Sequence, residues 1–408
     1  MPHFKALSLS LPELPCTLSC KENEFSFLEL YSSCVFKNYS LLHTTSKISN
    51  LKPKEFFLTL KQNDKNAKEF LVKCDKSSKI APIEIAKNAL MLLASNQKVI
   101  THNLNQQNIT PQFKLPFIKE INDFLNFEEL LQKEGLENKE IWLEIGFGSG
   151  RQLLFNAQNH KDILHIGIEI HLPSLEQVAR QIGLLQLNNI LILAYDARIF
   201  LELLPKCSLS KIFVHFPVPW DKKPHRRIFS NAFLTQCARV LKKEGNLHLR
   251  TDSYEYFLYS LDLAKEFKNF EISHQKNQQN SITSKYEARW NRLNKDIYDL
   301  YLLQKEPLNI ATKHYDFSFP KITSSPLLTP SFKKQKFVKE DYFLSLEDLL
   351  INPKGDKKIL KISFGDFAYP ETRYIIIDEN LKYFREPPLK TEANFKAHNL
   401  LCSLLKEC

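Results

Sequence analysis

The pattern of hydrophobic and polar positions divides the chain into three segments. The first, residues 1–102, combines short apolar or alternating runs with one stretch of helical spacing. These patterns predict strands over 24–31, 55–60 and 69–74 and a helix over 83–95. We interpret this segment as a strand-rich accessory domain. The polar, Asn- and Gln-rich stretch over 103–112 is typical of a linker.

Strands and helices alternate in the second segment, residues 113–305. After a helical stretch over 113–137, apolar runs predict five strands, over 141–145, 163–169, 189–194, 211–216 and 245–250. Helical spacing falls between them, over 151–157, 174–186 and 231–242. Two further strands, over 270–273 and 296–302, are expected to end the sheet. This order predicts an α/β, Rossmann-like domain with a mostly parallel, seven-stranded sheet and helices on both faces.

The third segment, residues 306–408, is predicted to be a second strand-rich accessory domain. Apolar runs over 359–365 and 373–378 indicate paired strands, and helical spacing over 390–406 indicates a closing helix.

Glycine is concentrated at the first strand of the middle segment. The chain has only nine glycines among 408 residues, and three of them are Gly146, Gly148 and Gly150. A strand that breaks into a glycine-rich turn and opens a helix brings backbone N–H groups close to a ligand. The Gly-x-Gly-x-Gly spacing differs from the Gly-x-Gly-x-x-Gly of dinucleotide-binding proteins, which disfavours a nicotinamide cofactor.

Acidic residues stand at the ends of the first three strands of this sheet. Glu144 precedes the glycines, Glu169 ends the second strand and Asp196 follows the third. Each of them alone is better explained as a solvated loop residue. Together they suit S-adenosylmethionine, since Glu169 could accept from ribose hydroxyls, Asp196 from the adenine amino group and Glu144 from a cationic group.

The fourth strand ends in Phe216-Pro-Val-Pro-Trp220, followed by a cluster of basic residues. The two prolines make the backbone rigid, and Trp220 could stack on a base. The nearby Lys222, Arg226 and Arg227 could contact phosphates, although such clusters are commonly solvated loops.

At this point the chain resembles the bacterial tRNA (guanine-N7)-methyltransferases over roughly residues 115–305. The resemblance rests on motifs in the family's order, namely Leu143-Glu-Ile-Gly-Phe-Gly-Ser-Gly150, Gly167-Ile-Glu-Ile-His171, Asp196-Ala197, Phe216-Pro-x-Pro-Trp220, Arg226-Arg-Ile228, Thr251-Asp252 and Ser284-Lys-Tyr-Glu-Ala-Arg289. It implies a class I methyltransferase fold, S-adenosylmethionine as cofactor, and methylation of a guanine at N7 in the variable loop of tRNA, at position 46.

The resemblance also implies roles for individual residues. On the cofactor side it implies Glu144, Glu169 and Asp196, and our full set of cofactor candidates adds Gly146, Gly148, Gly150 and the position of Val218. On the substrate side it implies Lys222, Asp252, Ser284 and Glu287, and our full set of substrate candidates adds Trp220, Arg226, Arg227 and Lys285. At the position of Val218 the family usually has an aspartate.

Methylation at N7 needs no general base for the methyl step, because guanine N7 carries a free lone pair. Catalysis then depends on positioning and electrostatics. A carboxylate near the base would stabilise the positive charge that moves onto it. Our candidates for this catalytic role are Asp252 first, then Glu287 and Asp221.

Composition and charge narrow the partners. The net charge is +10, which favours a polyanionic partner such as tRNA. Apolar runs are too short for a membrane span, and the scattered cysteines suit a reducing compartment, so we expect a cytoplasmic protein without membrane association. His215, His225 and His248 lack ligand spacing, so we expect no metal. The sequence leaves open whether the protein is a monomer or a homodimer.

Two alternatives remain open from the sequence. The protein could be a methyltransferase that acts on ribosomal RNA or on a protein amide. It could also be a tRNA-binding protein with impaired catalysis, a reading that Val218 favours.

Overall fold

The structure is a computed structural model. It describes residues 1–20, 23–48, 51–63, 69–78, 80, 83–104, 115–222, 226–278, 295–308, 315–321, 325–367 and 369–406. These residues form two compact units, an outer unit of residues 1–113 and 315–408 and a central unit of residues 114–314. Within the described residues, every helix is too short or too polar to cross a lipid bilayer.

The N-terminal part of the outer unit consists of strands and one helix. Its strands are β1 (His3–Ala6), β2 (Cys16–Cys20), β3 (Asn23–Ser33), β4 (Tyr39–Ile48), β5 (Leu51–Gln62), β6 (Phe70–Cys74) and β7 (Val99–His102). The helix α1 (Ile83–Ala94) packs against β1, β2 and β6. The three predicted strands and the predicted helix are therefore present, while β1, β2, β4 and β7 were missed.

The central unit alternates strands and helices. Its strands are β8 (Ile118–Lys119), β9 (Glu140–Ile145), β10 (Ile163–Ile168), β11 (Ile190–Leu193), β12 (Leu209–His215), β13 (Leu241–Thr251), β14 (Phe270–Lys276) and β15 (Tyr298–Gln304). Its helices are α2 (Phe127–Glu134), α3 (Arg151–Asn159), α4 (Leu172–Leu184), α5 (Ala197–Leu203), α6 (Asn231–Val240) and α7 (Tyr254–Lys265).

The eight strands of the central unit form one sheet in the order β14-β15-β13-β12-β9-β10-β11-β8. All pairs from β13 to β8 are parallel, and β15 is antiparallel to both β13 and β14. The mostly parallel sheet is thus present, with eight strands instead of the predicted seven. The extra strand is β8, which lies in the stretch 113–137 that we expected to be helical. That stretch also holds a short 3-10 helix, Ile121–Phe124, and then α2.

The C-terminal part of the chain adds the remaining elements. They are β16 (Gln335–Val338), β17 (Phe343–Ile351), β18 (Lys358–Gly365), β19 (Pro370–Ile377), β20 (Leu381–Tyr383) and α8 (Glu392–Lys406). The predicted strands become β18 and β19, which pair as expected and are antiparallel, and the predicted helix becomes α8.

The two terminal parts share one twelve-stranded sheet, which differs from the expectation of separate accessory domains over 1–102 and 306–408. The junction is the pairing of β3 with β17, in which Ser32 and Ser33 face Ile351 and Leu350. Two edges of incomplete sheets join there and so satisfy each other's backbone groups. The expected linker over 103–112 lies almost wholly outside the described residues.

Candidate active site

The glycine-rich loop connects β9 to α3 in the central unit. Gly146, Gly148 and Gly150 have φ angles of 71°, 51° and 70°, a region that favours glycine. A Cβ at Gly146 would meet no atom within 4 Å, and one at Gly148 would meet only a backbone oxygen at 4.0 Å. A Cβ at Gly150 would lie 2.5 Å from Val178 in α4. The first two glycines therefore leave the backbone open to a ligand, and the third allows α3 and α4 to pack.

This loop lies where the strand order reverses. The chain continues from β9 to β10 and β11 on one side, then crosses to β12 on the other side of β9. Because these strands are parallel, their carboxyl ends lie at one edge of the sheet. A ligand crevice is expected outside such a switch point. Glu144, Glu169 and Asp196 all stand at this edge, as the sequence predicted from their strand ends.

Glu144 is buried near the end of β9, opposite Gly167 of β10 and Phe213 of β12. Its Oε2 atom is enclosed and has no hydrogen-bond partner among the described residues. Burial raises the pKa of this carboxyl to about 8, since little solvation remains for the charged form. A buried carboxyl oxygen without a partner is costly, so the geometry suits a cationic or hydrogen-bond-donating ligand.

Glu169 lies directly beside the glycine-rich loop. Its Oε2 accepts a hydrogen bond from the Gly148 N–H at 2.8 Å, and its Oε1 accepts from the His171 N–H at 2.9 Å. Each carboxylate oxygen has a second lone pair, so both could still accept a bond from a ligand hydroxyl. The contact with Gly148 fixes the second strand end against the loop of the first.

Asp196 is the N-cap of α5. Its Oδ1 accepts from the Arg198 N–H at 2.9 Å and from the Arg198 Nε at 3.0 Å. Capping residues of this kind satisfy an otherwise unpaired N–H of the first helical turn. This structural role accounts for the residue without a ligand, but its carboxylate still lies at the crevice edge of the sheet.

The loop after β12 has an unusual backbone. Phe216 and Trp220 have φ angles of 49° and 47°, which are rarely adopted by aromatic residues. Val218 between them is 61% exposed, and Trp220 is 37% exposed. The Arg226 guanidinium lies 5.2 Å from the Trp220 ring centre. The loop thus presents an apolar side chain and a cation-flanked indole at the crevice edge.

Two of the predicted substrate residues, Lys222 and Arg227, differ in their exposure to solvent. Lys222 is exposed, as a phosphate contact requires. Arg227 is buried, with its guanidinium against the rings of Tyr256 and Tyr259 and its Nε donating to the Pro219 carbonyl at 2.7 Å. Arg227 therefore holds the loop in place, and its contact with substrate stays a prediction.

The candidates for the catalytic carboxylate are only partly described. Asp252 follows β13, is partly exposed, and lies 3.5 Å from the Lys295 Nζ. Asp221 is exposed, 3.7 Å from the Arg227 guanidinium. The other predicted substrate residues, Ser284, Lys285 and Glu287, lie outside the described residues, as does His225.

A buried polar network that the sequence did not reveal joins the ends of β12, β13 and β15. The His215 Nε2 lies 3.0 Å from the His248 Nδ1, and the His248 Nε2 lies 2.7 Å from the Asp299 Oδ1. Both oxygens of Asp299 accept from Arg250 at 2.7 Å. Burial lowers the pKa of both histidines. Asp299 lies 49 positions from Arg250, so local sequence patterns carried no signal for the pair.

Comparisons with known proteins relate the chain to methyltransferases. A family model described as "Putative methyltransferase" matches residues 138–300. A tRNA (guanine-N(7)-)-methyltransferase of Wolinella succinogenes is 39% identical over 98% of this chain and 99% of its own length. Enzymes of the same name from Helicobacter hepaticus and Helicobacter pylori are 38% and 40% identical, and each match covers 100% of this chain and at least 99% of the relative. Among solved structures, a 16S rRNA methyltransferase is similar over 44% of this chain and 94% of its own, with 13% identity and a TM-score of 0.35. The full-length relatives show that the chain belongs to the tRNA (guanine-N(7)-)-methyltransferase family.

Proposed function

We propose that this protein transfers a methyl group from S-adenosylmethionine to N7 of a guanine in tRNA. The observation that carries the proposal is Glu144, a buried carboxyl with an unpartnered oxygen beside an open glycine-rich loop. An uncompensated acidic group at a switch point is a costly arrangement in the free protein. A positively charged cofactor would relieve that cost.

The cofactor would be held by the residues at the carboxyl ends of β9, β10 and β11. Glu144 would accept from its ammonium group, Glu169 from its ribose hydroxyls and Asp196 from its adenine amino group. The open sides of Gly146 and Gly148 would allow it to approach the backbone. When bound, S-adenosylmethionine supplies the methyl group, activated by the adjacent sulfonium.

The substrate guanine would lie at the ends of β12 and β13. The half-exposed Trp220 ring, flanked by Arg226, offers a stacking surface for a base. Val218 cannot hydrogen-bond a guanine edge, so we assign that task to Asp252, with Asp221 as the alternative. A carboxylate there would stabilise the positive charge that develops on the base, and no proton has to be removed in the methyl step.

The test is to incubate the full-length protein with unmodified tRNA and labelled S-adenosylmethionine. Borohydride reduction and aniline cleavage then cut the tRNA at 7-methylguanosine. We expect label in tRNA and one cleavage position in the variable loop. Absence of both with the intact protein would refute the proposal, and label without cleavage would indicate methylation of another atom.

Val218 favours one other candidate, a tRNA-binding protein with impaired catalysis. This candidate predicts tRNA binding without label transfer. Calorimetric titration with S-adenosylmethionine gives an independent readout. In a protein that no longer uses the cofactor, the unpartnered Glu144 carboxyl would have no function, so cofactor binding would favour the methyltransferase.

A further inference from the structure

The outer unit contains a cavity of about 910 Å³, and its lining residues all belong to that unit. The turn between β3 and β4, together with β5 and the end of β6, supplies one wall. The other wall comes from β17, β18 and β19 and from the residues before β16. Five lysines line it, namely Lys37, Lys61, Lys76, Lys334 and Lys361.

Positive charge predominates in this cavity. Four of its lysines are exposed, and among the described residues only two acidic side chains line it with them. Glu347 lies 3.9 Å from the Lys334 Nζ. Asp348 is buried and accepts from the Ser33 hydroxyl at 2.8 Å, and burial raises the pKa of its carboxyl. The lining therefore keeps a net excess of cationic groups.

An aromatic ring accompanies these cations. Phe36 also lines the cavity and is 46% exposed, although it is a large apolar residue. The Lys334 Nζ lies 4.3 Å from its ring centre. Cationic side chains that neutralise phosphates, together with an exposed ring on which a base can stack, are the combination that binds single-stranded or looped RNA.

The walls are joined by buried hydrogen bonds between distant parts of the chain. The Tyr374 hydroxyl donates to the Asp75 Oδ1 at 3.0 Å, which adds to the bond between Ser33 and Asp348. The Cys34 N–H also donates to the Leu349 carbonyl at 2.8 Å. The cavity is thus already formed in the folded outer unit, and no ordering of loops is needed to bring the lysines together.

We propose that this lysine-lined cavity is a second RNA-binding site, which holds the sugar-phosphate backbone of the tRNA that the central unit methylates. This inference rests on the proposed function. Lysines contact phosphates as point charges, so the site would add affinity with little base specificity.

The test compares two double variants of the full-length protein. Lys37→Ala with Lys76→Ala removes two exposed lysines of the cavity. Lys5→Ala with Lys98→Ala removes two exposed lysines, on β1 and just before β7, that are not among the lining residues of the cavity. Filter binding to unmodified tRNA over a range of salt concentrations gives the dissociation constant and its salt dependence.

For the cavity variant we expect about a tenfold rise in the dissociation constant and in KM. The slope of log affinity against log salt should fall by about 1.4 to 1.8, since two phosphate contacts are lost. Its kcat at saturating tRNA and its melting temperature should not change. The control variant should stay within about twofold of the wild type.

Equal tRNA affinity of the cavity variant and the wild type would overturn the inference. An equal loss of affinity in the cavity and control variants would also overturn it, because it would indicate an effect of net charge alone. A wild-type protein that binds tRNA through the cavity but transfers no methyl group would refute the proposed function and leave the RNA site standing.

Discussion

Replacing Glu144 by glutamine tests whether the buried carboxyl holds a cationic cofactor. With a pKa of about 8, most of this carboxyl is protonated in the free protein at neutral pH. A cationic ligand favours the ionised form, so binding must release a proton. As pH rises from 5.5 to 7, the dissociation constant of the wild type for S-adenosylmethionine should therefore fall about tenfold per pH unit.

Glu144→Gln should abolish this pH dependence, because glutamine has no proton to release. Loss of a charge-assisted hydrogen bond costs about 1.5–3 kcal/mol, which corresponds to an affinity about 10- to 100-fold weaker at pH 8. Near pH 6 the two proteins should converge. The matched control is Glu140→Gln on the same strand, since the Glu140 side chain is exposed and accepts from Trp142.

Although Glu144→Gln should weaken cofactor binding, it should increase the free energy of unfolding of the ligand-free protein. A carboxyl whose pKa is raised on folding contributes stability at low pH and loses it as pH rises from its ordinary value of 4.5 to about 8. Each pH unit in this window contributes about 1.4 kcal/mol, which amounts to about 3 kcal/mol at pH 7. Urea unfolding of the ligand-free proteins should show Glu144→Gln as more stable by up to this amount at pH 7 and equal below pH 4.5. A dissociation constant independent of pH in the wild type, together with equal stability at pH 7, would refute the reasoning.

The other predictions concern packing, catalysis and the buried network. Gly167→Ala should destabilise the protein by about 1–3 kcal/mol in urea unfolding, because the new Cβ would lie 2.4 Å from a leucine side chain. Gly183→Ala, in open space within α4, should stabilise it by up to about 1 kcal/mol. Asp252→Ala should abolish methylation of tRNA while calorimetry shows unchanged cofactor affinity, and full activity would contradict its assignment. Asp299→Ala should cost about 3–5 kcal/mol in urea unfolding, because the buried Arg250 guanidinium loses its carboxylate partner. Glu306→Ala breaks only an exposed ion pair with Lys243 and should cost less than about 1 kcal/mol.

The parallel sheet of the central unit was predictable because its strands are nearly continuous apolar runs. In β9 every residue after Glu140 is buried, and such a run between turn signals predicts a strand by itself. The helices α5 and α7 were missed because each follows closely on a strand and a short polar cap. Glu169 was identified because a polar residue directly after a buried run marks the carboxyl edge. Glu144 lies inside β9 and was identified by its place before the glycines, and Asp196 was identified by its place shortly after the third strand.

The outer unit shows what local patterns cannot reveal. β3 was recognised, but its partner β17 lies more than 300 positions later, and only Ser32 and Ser33 take part in the pairing. No local periodicity records which edge meets which. The lysines of the cavity lie on the two terminal parts that this pairing joins, so they are far apart in the sequence. There they are indistinguishable from solvated surface residues.

The hydrogen bonds of the buried network of His215, His248 and Asp299 suit a methyl transfer in which no proton is removed. Burial keeps His248 neutral, so when its Nε2–H donates to Asp299, its Nδ1 must accept from the His215 Nε2–H. Arg250 neutralises the Asp299 carboxylate, which leaves no net charge for a histidine to balance. Because the pKa of both histidines is lowered on folding, they cost stability only as pH falls below about 6.5, where the unfolded chain takes up protons. At neutral pH the network therefore acts as a fixed support for the loops that follow β12 and β13. These loops carry Trp220 and Asp252, whose positions the proposed reaction requires to be rigid.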